Sequence, residues 1–233
     1  MNTTTTHRRS ISRPAKLLAQ CLWRPKLLVL RNAVLPVALL ASLALTGCSF
    51  LKPAHNPERH FVLTPLPPAA DIPASAPALG IGQVKMPAYL FNSSIAVRRG
   101  TNEIQYLPLV LWAERLDTSL QRVLAADLAA SLPTDKIRLS AWRMEEVNAE
   151  VYVSVERLDV DTTGQATLIA WWRIMAPGAE KTLKSGQAQL TRPGPSPDLN
   201  PSGAVATMSD LLAELSQQLA ASLKQVLPTG SGR

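Results

Sequence analysis

The sequence predicts an α+β fold, a single domain in which two amphipathic helices pack on one face of an antiparallel sheet. Two segments carry apolar residues at helical spacing, one from Leu116 to Leu132 and the other from Val205 to Val226. Several other segments alternate apolar and polar residues, which is the pattern of half-buried strands. Gly100 and Gly164 each fall between two such segments and predict hairpin turns, so these neighbouring strands should run antiparallel.

The basic charge of the chain is confined to its N-terminal segment. Of the 24 Lys and Arg residues, seven lie in residues 1–47, which contain no Asp or Glu. From Cys48 onward, 17 basic residues face 17 acidic ones, so the net charge of +7 belongs to the segment before this cysteine. A nucleic-acid binder needs a basic stripe that neutralises phosphates. The balanced remainder excludes nucleic acid as the expected partner.

Residues 1–47 have the order of a secretory signal peptide. A basic stretch precedes an apolar run from Ala33 to Leu45, and the small residues Thr46 and Gly47 follow it. This run is shorter than the roughly 20 residues that span a bilayer. We therefore expect residues 1–47 to be removed on export.

Cys48 is the only cysteine of the predicted mature chain, because Cys21 lies in the discarded segment. Residues 45–48, "LTGC", resemble the lipobox of bacterial lipoproteins, in which the cysteine begins the mature chain and its sulfur carries a diacylglyceryl group. Two or three acyl chains anchor a protein firmly, since each buried CH₂ contributes about 0.8 kcal/mol. We predict Cys48 as the lipid attachment site, with a buried core cysteine as the alternative. The residue directly after the cysteine is Ser49 and not Asp, which in lipoproteins of bacteria with two membranes favours delivery to the outer membrane.

Proline density divides the mature chain into a tether and a domain. Residues 48–78 hold seven of the 19 prolines, which favours an extended, polyproline-like path. We expect a lipidated tether here, interrupted by one short strand at Phe61 to Thr64. The periplasmic α+β domain is expected at residues 79–228, and Gly80 and Gly82 in its first strand mark a close approach or a bulge.

The domain alternates strand patterns with the two helices. Pro133 ends the first helix, and Asn200 and Pro201 supply an N-cap and a first helical residue for the second. The apolar alternation of one long strand pattern slips near Glu156 and Arg157, which predicts a β-bulge. The strands are expected at 79–87, 94–100, 103–108, 136–142, 150–161, 165–176 and 181–191.

Catalytic chemistry has few candidate residues in the mature chain. Its only histidines are His55 and His60, in the predicted tether, and they lack a third ligand for a metal site. No Ser has the neighbours of an activated nucleophile, and no glycine-rich phosphate-binding loop is evident. We expect no enzyme activity, no cofactor and no bound metal.

Trp171 and Trp172 are adjacent in a predicted strand. Adjacent side chains of a strand point to opposite faces, so one indole should enter the core and the other should point outward. Tryptophan is enriched in protein interfaces and at membrane surfaces. The pair is our candidate interface, and burial of both rings under a second layer is the alternative.

Several segments together resemble one known family. They are "FVLT" at 61–64, "IGQVKMPAYL" at 81–90, "IAVRR" at 95–99 and "WAERLDTSLQRVLAADLAASL" at 112–132, in addition to the lipobox ending at Cys48. They are similar to the paraquat-inducible protein C-like, ABC-type transport auxiliary lipoproteins. The resemblance implies a protein lipid-anchored on the periplasmic face of the outer membrane. It also implies work beside an inner-membrane ABC transporter and an MCE-domain protein in lipid transport.

The function expected from these observations is that of a non-enzymatic auxiliary lipoprotein. Acyl chains on Cys48 would hold it in the membrane, and its domain would dock the periplasmic assembly of MCE and ABC transporter components at the outer membrane. One alternative is a stand-alone outer-membrane lipoprotein for envelope structure or assembly. Another is a lipid-carrying binding protein, which would need an apolar cavity. The sequence leaves open whether the chain forms homo-oligomers.

Overall fold

The computed structural model describes residues 57–227 of the chain. The predicted signal peptide at 1–47, Cys48 as the predicted lipid attachment site, and His55 all lie outside the described residues. Within 57–227, neither α-helix combines the length and the apolar content that crossing a bilayer requires.

Eight strands, two α-helices and three short 3₁₀ turns form the described part of the chain. The strands are β1 Arg59–Phe61, β2 Leu79–Ile81, β3 Ser94–Arg98, β4 Ile104–Trp112, β5 Ile137–Leu139, β6 Ala149–Asp161, β7 Ala166–Met175 and β8 Thr182–Arg192. The helices are α1 Leu116–Ser131 and α2 Pro201–Val226. The 3₁₀ turns are Ala88–Phe91, Met144–Glu146 and Pro177–Ala179.

All eight strands join one sheet, which branches at β6, its longest strand. Along one edge β6 pairs antiparallel with β7, and β8 extends the sheet beyond β7. On the other edge β2 pairs with the first part of β6 and β3 with its last part, both in parallel. β5 lies beyond β2 and parallel to it, whereas β4 is antiparallel to β3 and carries β1 as a parallel edge strand.

The predicted α+β class is confirmed, but the sheet is mixed, and the expectation of an antiparallel sheet is wrong. Four of its strand pairs are parallel. A parallel pair requires a crossover connection. For the parallel pair β2 and β5 this connection includes α1, which follows β4 and leads into β5. The alternation of apolar residues along a strand is the same whichever way its neighbour runs, so it did not distinguish the two arrangements.

Three local predictions are confirmed. The register of β6 shifts between Val155 and Arg157, at the predicted bulge. Gly164 turns the chain from β6 to β7 with a positive φ of 97°, which glycine adopts without strain. The Asn200 side chain caps α2 by accepting a hydrogen bond from the N–H of Gly203 at 3.0 Å.

The two helices contact each other, and α2 packs its apolar face on β6, β7 and β8. Fully burying one leucine contributes roughly 1.5–3 kcal/mol, so this layer supplies much of the core. The leucine and methionine side chains of the two helices that are at most 1% exposed are Leu120, Leu124, Leu128, Met208, Leu211, Leu215, Leu219 and Leu223. Within the described residues, the opposite face of these strands carries no α-helix and stays open along β7 and β8.

Residues 59–78, which the sequence assigned to the tether, lie against the domain in the structure. β1 pairs with β4, and Leu63 just after it is 1% exposed. Further along the Pro-rich stretch, Lys136 Nζ donates to the carbonyl of Ala74 at 2.9 Å. The folded part therefore begins at β1, ahead of the expected boundary at residue 79. Proline restricts the path of this segment, yet its apolar side chains and carbonyl groups still find partners.

Asp127 on α1 joins this N-terminal segment to both helices. Its Oδ1 accepts the backbone N–H of Leu66 at 2.7 Å, and Ser216 Oγ on α2 lies 3.2 Å from its Oδ2. The residue is fully buried, and no basic side chain of residues 57–227 pairs with it. Burial raises the pKa of Asp127 above its ordinary value, although the two hydrogen bonds oppose this shift.

Candidate functional site

The helix-free face of the sheet contains an open groove of about 480 Å³. It extends over β6 and β7, between the segment that follows β2 and the edge strand β8. The side chains around it include Gln83, Lys85, Tyr152, Ser154, Trp171 and Arg173. This surface, called the groove below, contains the outward tryptophan that the sequence singled out.

Two cross-strand rows build the groove. The first row is Lys85, Ser154, Trp171 and Gln187. The second row is Tyr152, Arg173 and Ser185. Neighbouring side chains in such a row have Cβ atoms about 5 Å apart, so the short serines leave a depression between larger side chains.

Trp171 and Trp172 point to opposite faces, as the strand pattern predicts. Trp171 is 48% exposed, and its Nε1–H donates to Glu156 Oε1 at 2.7 Å. Trp172 is 7% exposed and lies on Gly186 of β8, where an added Cβ would fall 2.5 Å from the indole. The buried Nε1–H of Trp172 has no partner among residues 57–227. Of the predicted interface pair, only Trp171 offers its ring to a partner, because Trp172 is packed beneath the helices.

Tyr152 is fixed by a glycine and by a buried carboxylate. Its ring covers Gly82, where an added Cβ would lie 2.5 Å from the ring, so the close approach expected at this glycine is present. Its hydroxyl donates to Glu150 Oε2 at 2.9 Å, while Oε1 accepts from Trp142 Nε1 and from the N–H of Gly178. Burial and the hydrogen bond to Glu150 raise the pKa of Tyr152. The groove therefore has a rigid, neutral phenol on this side.

The groove has a basic character. Lys85 and Arg173 are exposed, and neither forms an ion pair or a side-chain hydrogen bond with the described part of the chain. The lining contains no Asp or Glu, since Glu150, which holds Tyr152, and Glu156, which accepts from Trp171, lie outside it. These two cations beside an exposed indole suit an anionic group on a partner.

A second polar cluster, where β3 meets β6, is paired internally. Asp159 is fully buried, and its Oδ2 accepts from Arg98 Nη2 at 2.8 Å while its Oδ1 accepts from Arg157 Nε at 2.9 Å. Burial beside Asp159 raises the pKa of Tyr89, whose hydroxyl lies 3.4 Å from Oδ2. Both carboxylate oxygens are occupied, so the cluster stabilises the junction of the two strands and leaves no open position for a ligand.

His60 lies in β1, not in a free tether. Its side chain is 51% exposed, and its Nε2 is 3.7 Å from a Glu58 carboxylate oxygen. Among residues 57–227, no three His, Cys, Asp or Glu side chains are grouped as ligands of a metal ion.

The four segments at 61–64, 81–90, 95–99 and 112–132 that suggested a family all fall within this one fold, whereas the lipobox lies outside the described residues. A family model described as "ABC-type transport auxiliary lipoprotein component" matches residues 61–220, which include every residue of the groove. The chain belongs to this family. Membership confirms the resemblance drawn from the sequence, implies association with transporter components, and fits a membrane-anchored periplasmic location.

Two solved structures share the fold. One is an uncharacterized protein that is 17% identical, with a TM-score of 0.54, and the match covers 73% of this chain and 98% of that one. The other is protein XCC0632 from Xanthomonas campestris, also 17% identical, with a TM-score of 0.57 and coverage of 72% and 96%. At this identity the likeness shows the fold alone. A search of the curated proteins finds no match.

Sequence reasoning found Trp171 but missed the other main groove residues, Lys85, Tyr152 and Arg173. They are far apart in the sequence, and only the register of β6 with its two neighbours brings them together. A signal was present, because Tyr152 and Arg173 occupy polar positions of alternating strands and therefore point away from the core.

Proposed function

We propose that this chain is a non-enzymatic, lipid-anchored auxiliary component of an ABC-type lipid transport system that includes an MCE-domain protein. Its domain docks the periplasmic part of that assembly at the outer membrane. The observation that carries the proposal is the family match over residues 61–220. The lipobox ending at Cys48 supports the anchor, since two or more acyl chains hold a protein stably at a membrane.

The groove is the docking surface in this proposal. Trp171 offers a large, half-exposed ring on a strand whose backbone is held on both edges, so its position is defined before binding. Lys85 and Arg173, which form no ion pair with the described residues, flank it with positive charge. Aromatic and arginine side chains carry most of the binding energy in protein interfaces, and charge complementarity selects the partner.

Neither alternative function gains a specific observation. A lipid carrier encloses its acyl chains in an apolar cavity, whereas the groove is open and has Gln83, Lys85, Ser154 and Arg173 in its lining. A stand-alone envelope lipoprotein would not require the association with a transporter that family membership implies.

Purification of the full chain from its native membranes tests the proposal. Mass spectrometry should find ABC transporter and MCE-domain subunits with the wild type. Trp171→Ala should reduce their recovery by about 30-fold, the effect of losing a contact worth about 2 kcal/mol. Leu199→Ala, which truncates an 88% exposed side chain outside the groove, is the matched control and should leave recovery unchanged. A wild-type preparation with no transporter or MCE subunit would contradict the proposal, and co-purified phospholipid instead would favour a carrier.

A further inference from the structure

β8 is an open edge of the sheet along its whole length. It pairs with β7 over Thr182–Arg192, and no other strand of the described residues pairs with it. An open edge presents unpaired backbone N–H and C=O groups, which can bind a further strand. Folded proteins usually protect such edges with charged side chains, proline or a bulge.

The middle of β8 has none of these protections. Ser185–Thr191 contains no charged residue and no proline, and the register shift of this pair lies outside it. The basic residues at its ends are engaged elsewhere, because Lys184 donates to Gln225 and Arg192 pairs with Glu214, both on α2. Seven consecutive residues therefore leave the edge accessible.

The backbone groups that face the open edge belong to alternate residues. The N–H of Gly194 donates to the carbonyl of Gly164 at 3.0 Å, two residues beyond the pair of Ala166 and Arg192. Even-numbered residues of β8 therefore bond to β7, and odd-numbered ones point away from it. The edge-facing residues are Ser185, Gln187, Gln189 and Thr191. None of their backbone groups has a hydrogen-bond partner within 57–227.

This edge is continuous with the groove. Ser185 and Gln187 end the two rows that contain Arg173 and Lys85. A strand added beside β8 would lie two strand spacings, about 10 Å, from β7. Arg173 and a glutamate side chain of the added strand can jointly cover this distance across Ser185. Because Arg173 has no carboxylate partner among residues 57–227, an acidic side chain on the added strand would complement it.

A second copy of β8 offers no acidic side chain to Arg173. β8 contains Lys184 and Arg192 and no acidic residue. Antiparallel pairing of two copies about Ala188 would place Lys184 of one opposite Arg192 of the other. Like charges directly opposite each other destabilise a strand pair.

We propose that β8 binds an extended, acidic segment of a partner protein as a ninth strand of the sheet, with an acidic side chain of that segment on Arg173. The inference rests on the proposed function, since it takes the partner to be a component of the transport assembly. In this mode the main-chain hydrogen bonds supply affinity, and the side chains beside the edge supply specificity.

Paired variants of the full chain in native membranes test this binding mode. Gln189→Pro removes one edge-facing N–H and leaves the ladder to β7 intact, whereas Gln189→Thr keeps that N–H. Arg173→Glu reverses the charge, and Arg173→Lys keeps it. The proline and glutamate variants should each reduce recovery of the transporter ATPase at least 10-fold, and the two controls should remain within twofold of the wild type. Thermal unfolding shows whether each variant is folded.

Hydrogen exchange of the wild type gives a second measurement that needs no variant. The amides of Gln187 and Gln189 should exchange at least 10-fold more slowly in the assembly than in the isolated chain, while the amide of Ala188 is slow in both.

Unchanged edge exchange in a complex that contains the transporter would overturn the β8 inference and leave the proposed function standing. A wild type that recovers no transporter would overturn both. Edge protection that rises with the concentration of the isolated chain would identify a second copy as the occupant and overturn the partner assignment.

Discussion

Replacing Asp127 by asparagine should stabilise the domain at neutral pH, although it removes a carboxylate that holds the N-terminal segment. Asp127 is fully buried, accepts the N–H of Leu66 at 2.7 Å, and has no basic partner within the described residues. Asn keeps an acceptor for Leu66 and offers an amide donor to Ser216 Oγ, which already donates to the carbonyl of Leu212. The variant therefore keeps both contacts without the cost of burying a charge.

The gain should depend on pH in a defined direction. Burial raises the pKa of Asp127 above the ordinary 3.8. The native state therefore binds more protons than the unfolded state at pH values between the ordinary and the raised pKa. The stabilisation that comes from this stronger proton binding is fully present below the ordinary pKa. It is lost as the pH rises through the raised pKa. Asparagine does not titrate. The unfolding free energy of Asp127→Asn should therefore rise relative to that of the wild type as the pH goes from acid to neutral.

Asp127→Ala is the matched control, because it removes the acceptor as well as the charge. A buried N–H left without a partner costs about 1–3 kcal/mol. In a domain of this size each kcal/mol shifts Tm by roughly 2–4 °C. We expect Asp127→Ala to lower Tm by several degrees at acid pH, where Asp127 is protonated in the wild type.

Urea and thermal unfolding of the wild type and both variants, across the acid to neutral range, measure these effects. Other carboxyl groups titrate equally in all three proteins and cancel in the differences. A difference between the wild type and Asp127→Asn that does not change with pH would refute the reasoning. A wild type that becomes more stable relative to Asp127→Asn as the pH rises would also refute it. The native fold would then favour the ionised carboxylate of Asp127 over the protonated form.

Three further predictions address the core, the buried ion pairs and the anchor. Gly186→Ala should lower the unfolding free energy by about 1–3 kcal/mol, because its Cβ would overlap the indole packed on it; an unchanged urea midpoint would contradict that packing. Arg98→Met should lower the unfolding free energy by about 3 kcal/mol, because it leaves the buried Asp159 with one guanidinium partner. Arg99→Met, which breaks a partly exposed pair with Asp198, should lower it by less than about 1 kcal/mol. Equal losses in urea unfolding would show that burial does not set the difference. Cys48→Ser should move the protein from the membrane to the soluble periplasmic fraction, and continued membrane retention on fractionation would refute the lipid anchor.

The local elements of the fold could be predicted because their causes are local. The apolar period of α1 and α2, the cap at Asn200 and the slip that produces the bulge before Arg157 depend only on nearby residues. The opposite orientations of Trp171 and Trp172 follow from the two-residue period of a strand. The family resemblance rested on such segments as well, and the match over residues 61–220 confirms it.

The N-terminal segment shows why composition alone was not enough. Its prolines indicated an extended path, and residues 62–78 form neither helix nor strand, with a turn closed by the N–H of Ala76 on the carbonyl of Pro73. The prediction of a tether assumed that such a segment would be free. Leu63 is buried, and Leu66 is held by Asp127, a residue that follows it by 61 positions. Composition describes the conformational preference of a segment and carries no information about distant partners.

The sequence by itself determined which segments form strands and helices, which faces are apolar, the family, and the residue predicted to carry the lipid. Only the tertiary structure decided that β2 and β3 run parallel to β6, that β8 is left as an open edge, and that Lys85, Tyr152 and Arg173 share one groove. The reason is physical. The period and capping of an element depend on residues within a few positions, whereas strand direction, register and the pairing of charges depend on contacts between segments far apart in the chain.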